Sequence, residues 1–527
     1  MTCFIAIRFT HHTIFKHLSS IICNLSPMTY DFLSIGSGFA GSLTALCLKQ
    51  SGYRVGIIEK NSHPRFAIGE SSTPIADMIL RDIASRYDLP WLNKLSRYGS
   101  WQEHYPELTC GIKRGFSYYN HEAGKEFSSD YHHSNELLVA ASVDDENSDT
   151  QWLRSDLDHF LVKQAKEYGI EYYDQTEIQH VQRNPSGNWL ISAHRPDGTL
   201  QAETKFIIDA TGSSAFSEKF FNTASTSEPF ETNSRAIYSH FKQVPLWLNH
   251  LESNGFKTDD YPYNPDHSAL HHILEEGWLW MLRFNDDRLS AGLVLDQNHS
   301  SDFESVSGAE SWNHIIKKYP TLYDLFGDSK RCEDPGKIIK TGRLQRRLDR
   351  MFGDGWAALH HTAGFVDPLH STGIAHTLSG VEKLLDIIKT NEFHQKSIQR
   401  ELNRYQKEFF SELELIDLLV TGCYISRHNF ELFTAWTMLY FTCTIQYEQQ
   451  RLSGDRTGRF LSAGHPELSS IVRNQYRSLV NLTENGSTRN ENEAFIKQIR
   501  ENIKPFNIAG LMMPEKRNMY NHTAVKL

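Results

Sequence analysis

Gly36-Ser37-Gly38-Phe39-Ala40-Gly41 follows a strand-like run, Tyr30 to Ile35, and opens the helical segment SLTALCLKQSG, which stops at Gly52. A second strand-like run, YRVGIIEK, brings Glu59 to a point 23 positions after Gly36. Glycines so spaced serve a tight turn, room for a pyrophosphate against backbone N–H groups, and close contact of helix with strand. Glu59 stands where a carboxylate accepts hydrogen bonds from an adenosine ribose. The chemistry implied is dinucleotide binding through Gly36, Gly38, Phe39, Ala40, Gly41 and Glu59, and the bland alternative is a tight turn without a ligand.

A second piece of the same architecture lies far downstream. Residues Thr204 to Asp209 read as a strand running into Ala210-Thr211-Gly212, and Trp356 to Ile388 has an apolar start, a small-residue turn and a helical pattern with Ile374, Leu378 and Val381 on one face. A Pro-bearing loop entering a helix offers N–H groups and a positive dipole end to a phosphate or an isoalloxazine edge. Gly364, Asp367, Pro368, Ser371, Thr372, Gly373 and Ile374 are the candidate contacts there. Because more than 100 residues separate the two pieces, substrate-facing material must be inserted between them. Nicotinamide enzymes usually complete the nucleotide fold in one stretch, whereas flavoprotein oxygenases interrupt it, so FAD is the expected cofactor.

The elements that must hold these residues make an α/β chain: a Rossmann-like FAD-binding fold with an inserted mixed β-sheet region and a mostly helical C-terminal cap. Strands are expected at Gly115 to Tyr119, Asn188 to Ala193, Ala236 to Phe241 and Ala291 to Leu295, and a helix over Leu153 to Tyr168. Residues 1–27 read as a disordered or adventitious extension, 28–390 as the discontinuous FAD-binding domain with its insertion, and 391–527 as the helical region, ending in an exposed tail. With 54 Lys and Arg against 64 Asp and Glu, the net charge is −10, which gives no general attraction to nucleic acid. Seven scattered cysteines without CxxC spacing point to a reducing, cytoplasmic location, and no apolar run is long enough for a spanning helix. The adjacent pairs His132-His133, His271-His272 and His360-His361 point to opposite faces of an extended chain and make poor metal grips, so no metal is expected.

With these motifs in place, the chain resembles the flavin-dependent halogenases over about residues 29 to 450. The markers are the glycine turn, Gly69-Glu70-Ser71-Ser72-Thr73-Pro74, the Lys113 segment CGIKRGFSYY, Gly277-Trp278-Leu279-Trp280, and AGFVDPLHSTG from Ala363 to Gly373. The resemblance implies an oxidoreductase of secondary metabolism, in which reduced flavin and oxygen convert chloride or bromide to hypohalous acid. That acid then passes through a tunnel to a lysine in the substrate compartment. Lys113 matches that lysine, and an ammonium can hydrogen-bond a hypohalite or form a haloamine. Residues 69–74 match the strap between flavin and substrate, with Glu70 as a flavin or strap contact. A separate flavin reductase, a halide ion and an aromatic substrate, free or carrier-bound, are the implied partners, and assembly as a homodimer is compatible with the sequence.

Three departures qualify the match. The tryptophan pair continues into Met281-Leu282-Arg283 and lacks the family's Ile-Pro, so the two rings are read either as bulk beside the flavin or as strand core. Where indole-specific members carry Glu before Ser-Thr-Gly, this chain has His370, a base near neutral pH or a neutral hydrogen-bonding group. That change favours a phenolic or pyrrolic ring over free tryptophan. The Gly-Asp of many related flavoproteins is replaced by His360-His361. A plain FAD-dependent monooxygenase or dehydrogenase on the same fold is the alternative reading. The cap residues Phe430, Phe433, Trp436, Tyr440 and Phe441 are expected either to line an aromatic pocket or to pack a helix on the core.

Overall fold

The computed structural model describes residues 27–298, 306–391, 395–484 and 486–525. The extension expected over residues 1–27 lies outside the described residues except for Pro27. The first strand, Met28–Ile35, is flanked in parallel by Val55–Ile58 and by the long strand Gly198–Asp209, and Val55–Ile58 pairs in parallel with Glu171–Tyr173. Trp356–Ala358 pairs in parallel with the other edge of Gly198–Asp209. Their buried apolar side chains, including Phe32, Leu33, Ile57, Ile207 and Ile208, are what a parallel sheet covered on both faces requires. The helices Phe39–Gln50 and Arg154–Glu167 pack onto this sheet and onto each other, and Thr372–Asn391 packs against Phe39–Gln50.

The insertion is built on a nine-stranded sheet in which Gly277–Arg283 lies between Ala269–Leu274 and Leu289–Asp296, and Gly115–Asn120 pairs in parallel with Ala269–Leu274. All four strands expected from sequence are present: Gly115–Asn120, Ser234–Lys242 and Leu289–Asp296 belong to this sheet, whereas Trp189–Arg195 pairs antiparallel with Gly198–Asp209 in the nucleotide-binding one. One face of this sheet packs under Trp247, Trp312 and Tyr319, forming a second core, while the other faces the nucleotide-binding half. Helices Gln395–Ser426, Phe430–Leu452, Pro466–Glu484 and Arg489–Ile503 form the C-terminal region. A Cβ on Gly422 would stand 1.9 Å from Trp436, so the absence of a side chain there lets the first two of these helices meet.

The exposed tail expected after these helices is not seen. Met519–Tyr520 pairs in parallel with Glu136–Ala140 at the end of the nine-stranded sheet, and Tyr520 OH accepts a hydrogen bond from Met512 N at 3.0 Å. The two-residue pairing is too short for hydrophobic periodicity to mark it. Among the described residues no helix is long and apolar enough to cross a membrane.

Candidate active site

A cavity of about 820 Å³ runs between the glycine turn and the second small-residue turn. Gly36, Gly38, Phe39, Ala40, Glu59 and Glu70 line it from the first half of the chain, and Ala210 to Ser213, Pro368, Ser371, Gly373 and Ile374 close it from the second. Gly36 holds φ at +100°. The Glu59 carboxylate accepts from Ser37 N at 2.9 Å, Ser37 Oγ at 3.0 Å and Asn61 N at 2.9 Å. Burial by itself would raise its pKa, but the Asn61 N–H, the Arg65 charge and Ser37 outweigh burial and hold it below the usual carboxylate range. Arg154 donates to both carboxylate oxygens of Asp158 and to the carbonyls of Ile68 and Gly69, tying the helix Arg154–Glu167 to the strap. Asp158 in turn accepts from Phe39 N at 3.2 Å, at the start of the glycine-turn helix.

The strap runs beside the strand Asp149–Trp152: Ser72 N donates to Thr150 O, and Ser71 bridges to Gln151. Glu70 lines the cavity, yet its carboxylate bonds His240 Nε2 at 2.8 Å, anchoring the strap to the nine-stranded sheet. Across the same short strand lies Cys110–Lys113, with Lys113 opposite Asp149. Lys113 is fully buried. Its Nζ sits 4.1 Å from the centre of the Phe116 ring and 3.9 Å from Asp149 Oδ2, and makes no hydrogen bond. Burial pushes the ammonium down to about 8, against the pull of Asp149 across the strand pair.

Further aromatic rings surround the Phe116 ring that covers this lysine. Phe116 meets Tyr440 and Phe441 edge-on at 6.0 and 5.6 Å, and Tyr118 meets Phe433 at 5.6 Å. Thus Phe433, Tyr440 and Phe441 of the cap face the Lys113 compartment, whereas Trp436 turns away and donates its Nε1–H to Leu419 O. Trp278 and Trp280 project from one face of their strand into the main cavity with ring centroids 6.1 Å apart. Their indole N–H groups bond Tyr424 OH and Ser290 Oγ. Lacking a proline, the strand continues to Arg283, whose Nε bonds Asp266.

Not every candidate cofactor contact reaches the cavity. Gly41 is a packing position, because a Cβ there would lie 2.2 Å from Gly36 O. Gly364 faces Leu413 and Arg346, and Thr372 begins the helix Thr372–Asn391; neither lines the cavity. Asp367 turns inward, accepting from Ser234 Oγ at 2.7 Å, Tyr424 OH at 3.0 Å and Leu369 N at 3.1 Å, so that it shapes the turn rather than touching the cavity. Ser371 reaches across instead, donating to Ser71 Oγ at 3.0 Å and joining the second turn to the strap.

His370 is buried and stacks on Tyr440 with centroids 4.1 Å apart, its Nε2 3.6 Å from Cys423 Sγ and its Nδ1 without a partner. Burial pushes this imidazole down to about 3, with a smaller contribution from His271. An imidazole held that low is a weak proton acceptor near pH 7, which favours the hydrogen-bonding role over the base. His370→Gln is therefore expected to keep FAD affinity and the shape of the pH profile between 6 and 9, while turnover falls about tenfold, the cost of roughly one hydrogen bond. Flavin fluorescence titration and product rates check this. Loss of an acid limb in the variant would restore His370 as the base.

Several buried groups around the lysine escaped sequence reasoning. His271 stacks on Tyr118 at 4.7 Å and lies 5.2 Å from Trp278, between the main cavity and the Lys113 compartment. Asp77 and Arg81 occur four apart on Pro74–Arg86 and read as an ordinary helix pair. Asp149 carries no motif at all, and Tyr118 lies in the Lys113 segment without a side-chain pattern that marks it. The buried His360, His376 and Glu412, whose ligand atoms lie within 4.8 Å of one another, likewise carry no signal in their spacing. There Lys383 Nζ, 2.6 Å from Glu412 Oε1, already supplies the cation.

Comparison with known proteins is in keeping with this geometry. The tryptophan halogenase family matches residues 151–432, and an FAD-dependent oxidoreductase family matches residues 31–268. A monodechloroaminopyrrolnitrin halogenase, PrnC of Pseudomonas fluorescens, is 28% identical over 427 residues, covering 79% of this chain and 71% of that one. A 1H-pyrrole-2-carbonyl-[peptidyl-carrier protein] brominase of Pseudoalteromonas luteoviolacea is 24% identical over 68% of this chain and 77% of its own. The crystal structure of halogenase PltM in complex with phloroglucinol and FAD superposes with a TM-score of 0.82 over 93% of this chain and 99% of that one, at 24% identity. With half of its length matched to one family and its nucleotide half to the other, the chain belongs to the flavin-dependent halogenases and is an FAD-dependent oxidoreductase.

Proposed function

We propose that the protein halogenates an electron-rich aromatic ring, phenolic or pyrrolic rather than free tryptophan, using reduced FAD, dioxygen and chloride or bromide, with hypohalous acid carried to Lys113. The observation that carries this reading is the Lys113 ammonium, buried against the Phe116 ring with no hydrogen bond and separated from the flavin-sized cavity by the strap and one short strand. Reduced FAD, when bound, supplies the electrons that activate dioxygen for halide oxidation. The main cavity fits that cofactor: the glycine turn leaves its pyrophosphate room, and Glu59 offers a carboxylate at the ribose end.

The protein's share of the chemistry is positioning, exclusion of water and proton handling. In the halogen transfer, the ring carbon gains the halogen and loses its proton, and the hypohalous oxygen leaves as water. Lys113 Nζ holds the hypohalous oxygen as a hydrogen-bond donor, and the Phe116, Phe433 and Phe441 rings keep bulk water from it. Tyr118 OH and His370 Nδ1, both buried without partners, are available to a ring hydroxyl or pyrrole N–H. The phloroglucinol of the PltM structure and the pyrrole of the carrier-protein brominase support this class of substrate.

The same reading assigns a separate flavin reductase and a halide ion as partners, allows a free or carrier-bound substrate and a homodimer, and sets the protein in the cytoplasm, where Cys47, Cys110, Cys332, Cys423 and Cys443 are free thiols. Mass analysis of products from phenols, pyrroles and indoles incubated with chemically reduced FAD, oxygen and bromide should show monobromination of the phenols or pyrroles. Hydroxylated products that form without halide would instead establish the monooxygenase alternative.

A further inference from the structure

We propose that Asp149 and Asp77 form a proton-sharing acid pair that sets the charge state of Lys113, with Asp149 as its counter-ion and Asp77 as the neutral donor that steadies Asp149. The proposal rests on the reading of Lys113 as the group that directs the halogen, and assigns both acids as positioning residues for it.

The strand pairing places Asp149 directly opposite Lys113. At 3.9 Å the two charged groups are within ion-pair reach but too far apart for a direct hydrogen bond, which leaves the ammonium protons for another acceptor. Asp77 approaches from the helix Pro74–Arg86 to within hydrogen-bonding reach of Asp149, while its Oδ1 accepts from Ser72 Oγ of the strap at 3.1 Å. All three ionisable groups are buried, with Lys113 0%, Asp149 3% and Asp77 4% exposed. Two carboxylates in mutual contact and out of water cannot both ionise cheaply, so one keeps a proton. That one is Asp77, because the Lys113 ammonium 3.9 Å from Asp149 favours charge on Asp149, while burial and the Asp149 charge push Asp77 well above the usual range. Burial also raises Asp149, to about 6, but Lys113, the Asp77 hydrogen bond and Arg81 oppose that rise.

The other groups facing the site leave this arrangement intact. Arg81 on the same helix remains a cation. His271, on the strand Ala269–Leu274, is pushed by burial down to about 3 and is neutral. From the helix Phe430–Leu452, burial raises Glu448 to about 8 and keeps Tyr440 protonated. Asp149 is therefore the facing group that carries negative charge at pH 7, and the strap reaches Lys113 through Ser72, Asp77 and Asp149.

The test follows the side-chain ¹³Cε resonance of Lys113 with pH in selectively labelled protein, assigned by its absence from Lys113→Met. The pH profile of halogenation and FAD affinity are measured alongside. In Asp149→Asn the ammonium loses its counter-ion, so its titration and the matching limb of the profile should move down from about 8 by at least about one unit. Asp77→Asn retains a donor without a charge and should leave both within about 0.3 unit. In the unsubstituted protein, the ¹³Cγ shifts should report a protonated Asp77 carboxyl and an ionised Asp149 carboxylate at pH 7, which needs no variant to fold. An unmoved Lys113 in Asp149→Asn, an equal shift in Asp77→Asn, or two ionised aspartates at pH 7 would each overturn the pair. A shifted Lys113 titration in a protein that makes no halogenated product would keep the pair and defeat the halogen-directing reading instead.

Discussion

Lys113→Ala is expected to bind FAD and reoxidise the reduced flavin at the rate of the unsubstituted protein, while halogenated product falls by about a thousandfold, within the range for loss of a positioned proton-handling group. The separation follows from geometry. Lys113 is absent from the lining of the main cavity and is divided from it by the strap and the strand Asp149–Trp152, so its removal touches neither the glycine turn nor Glu59. Lys113→Arg should not restore transfer: the guanidinium stays charged at any working pH and is too large for a site closed by Phe116 at 4.1 Å. Flavin reoxidation and halogenated product, measured in one reaction mixture, check both variants. Halogenation that survives in Lys113→Ala would remove the lysine from the mechanism.

The same geometry explains which parts of the site were legible in the sequence. The glycine turn and Glu59 could be read because a strand, a tight turn and a helix must follow one another locally, and residue spacing reports local order. Lys113 stands out only through the company of its flanking motifs, since a lone lysine before a strand looks like any solvated cation. The cap aromatics were half legible. Their helical spacing put Phe433, Tyr440 and Phe441 together, but nothing in it showed that Trp436 faces the neighbouring helix at Gly422. Asp367 shows the opposite failure. Its place beside Pro368 marked it as a cofactor contact, yet Ser234 and Tyr424, 133 and 57 positions away, draw its carboxylate inward. Asp77 and Asp149 were out of reach for the same reason, because burial and a contact between distant segments, rather than spacing, give them their chemistry.

Gly38→Val is expected to weaken FAD binding by at least about a hundredfold, roughly 2.7 kcal/mol, while leaving the folded protein intact. The three glycines of the turn differ in what a side chain would meet. At Gly36 a Cβ would stand 2.5 Å from Ala210 O on a backbone with φ of +100°, and at Gly41 it would stand 2.2 Å from Gly36 O. Substitution at either position must move main chain at the centre of the parallel sheet, so Gly36→Val and Gly41→Val should lower the melting temperature and lose FAD together. Gly38 has φ of −63° and its Cβ would find only Arg154 Nη2 at 3.6 Å and Asp158 Oδ2 at 3.7 Å, ordinary contact distances. A valine there is tolerated by the backbone, but its methyl groups enter the cavity beside the first N–H groups of the helix, where the pyrophosphate must approach. Calorimetric melting and FAD titration on the three variants separate the cases. An unchanged FAD affinity in a folded Gly38→Val protein would place the pyrophosphate elsewhere in the cavity, whereas selective loss of FAD there, beside joint loss of fold and FAD at Gly36 and Gly41, assigns each glycine its own part in the turn.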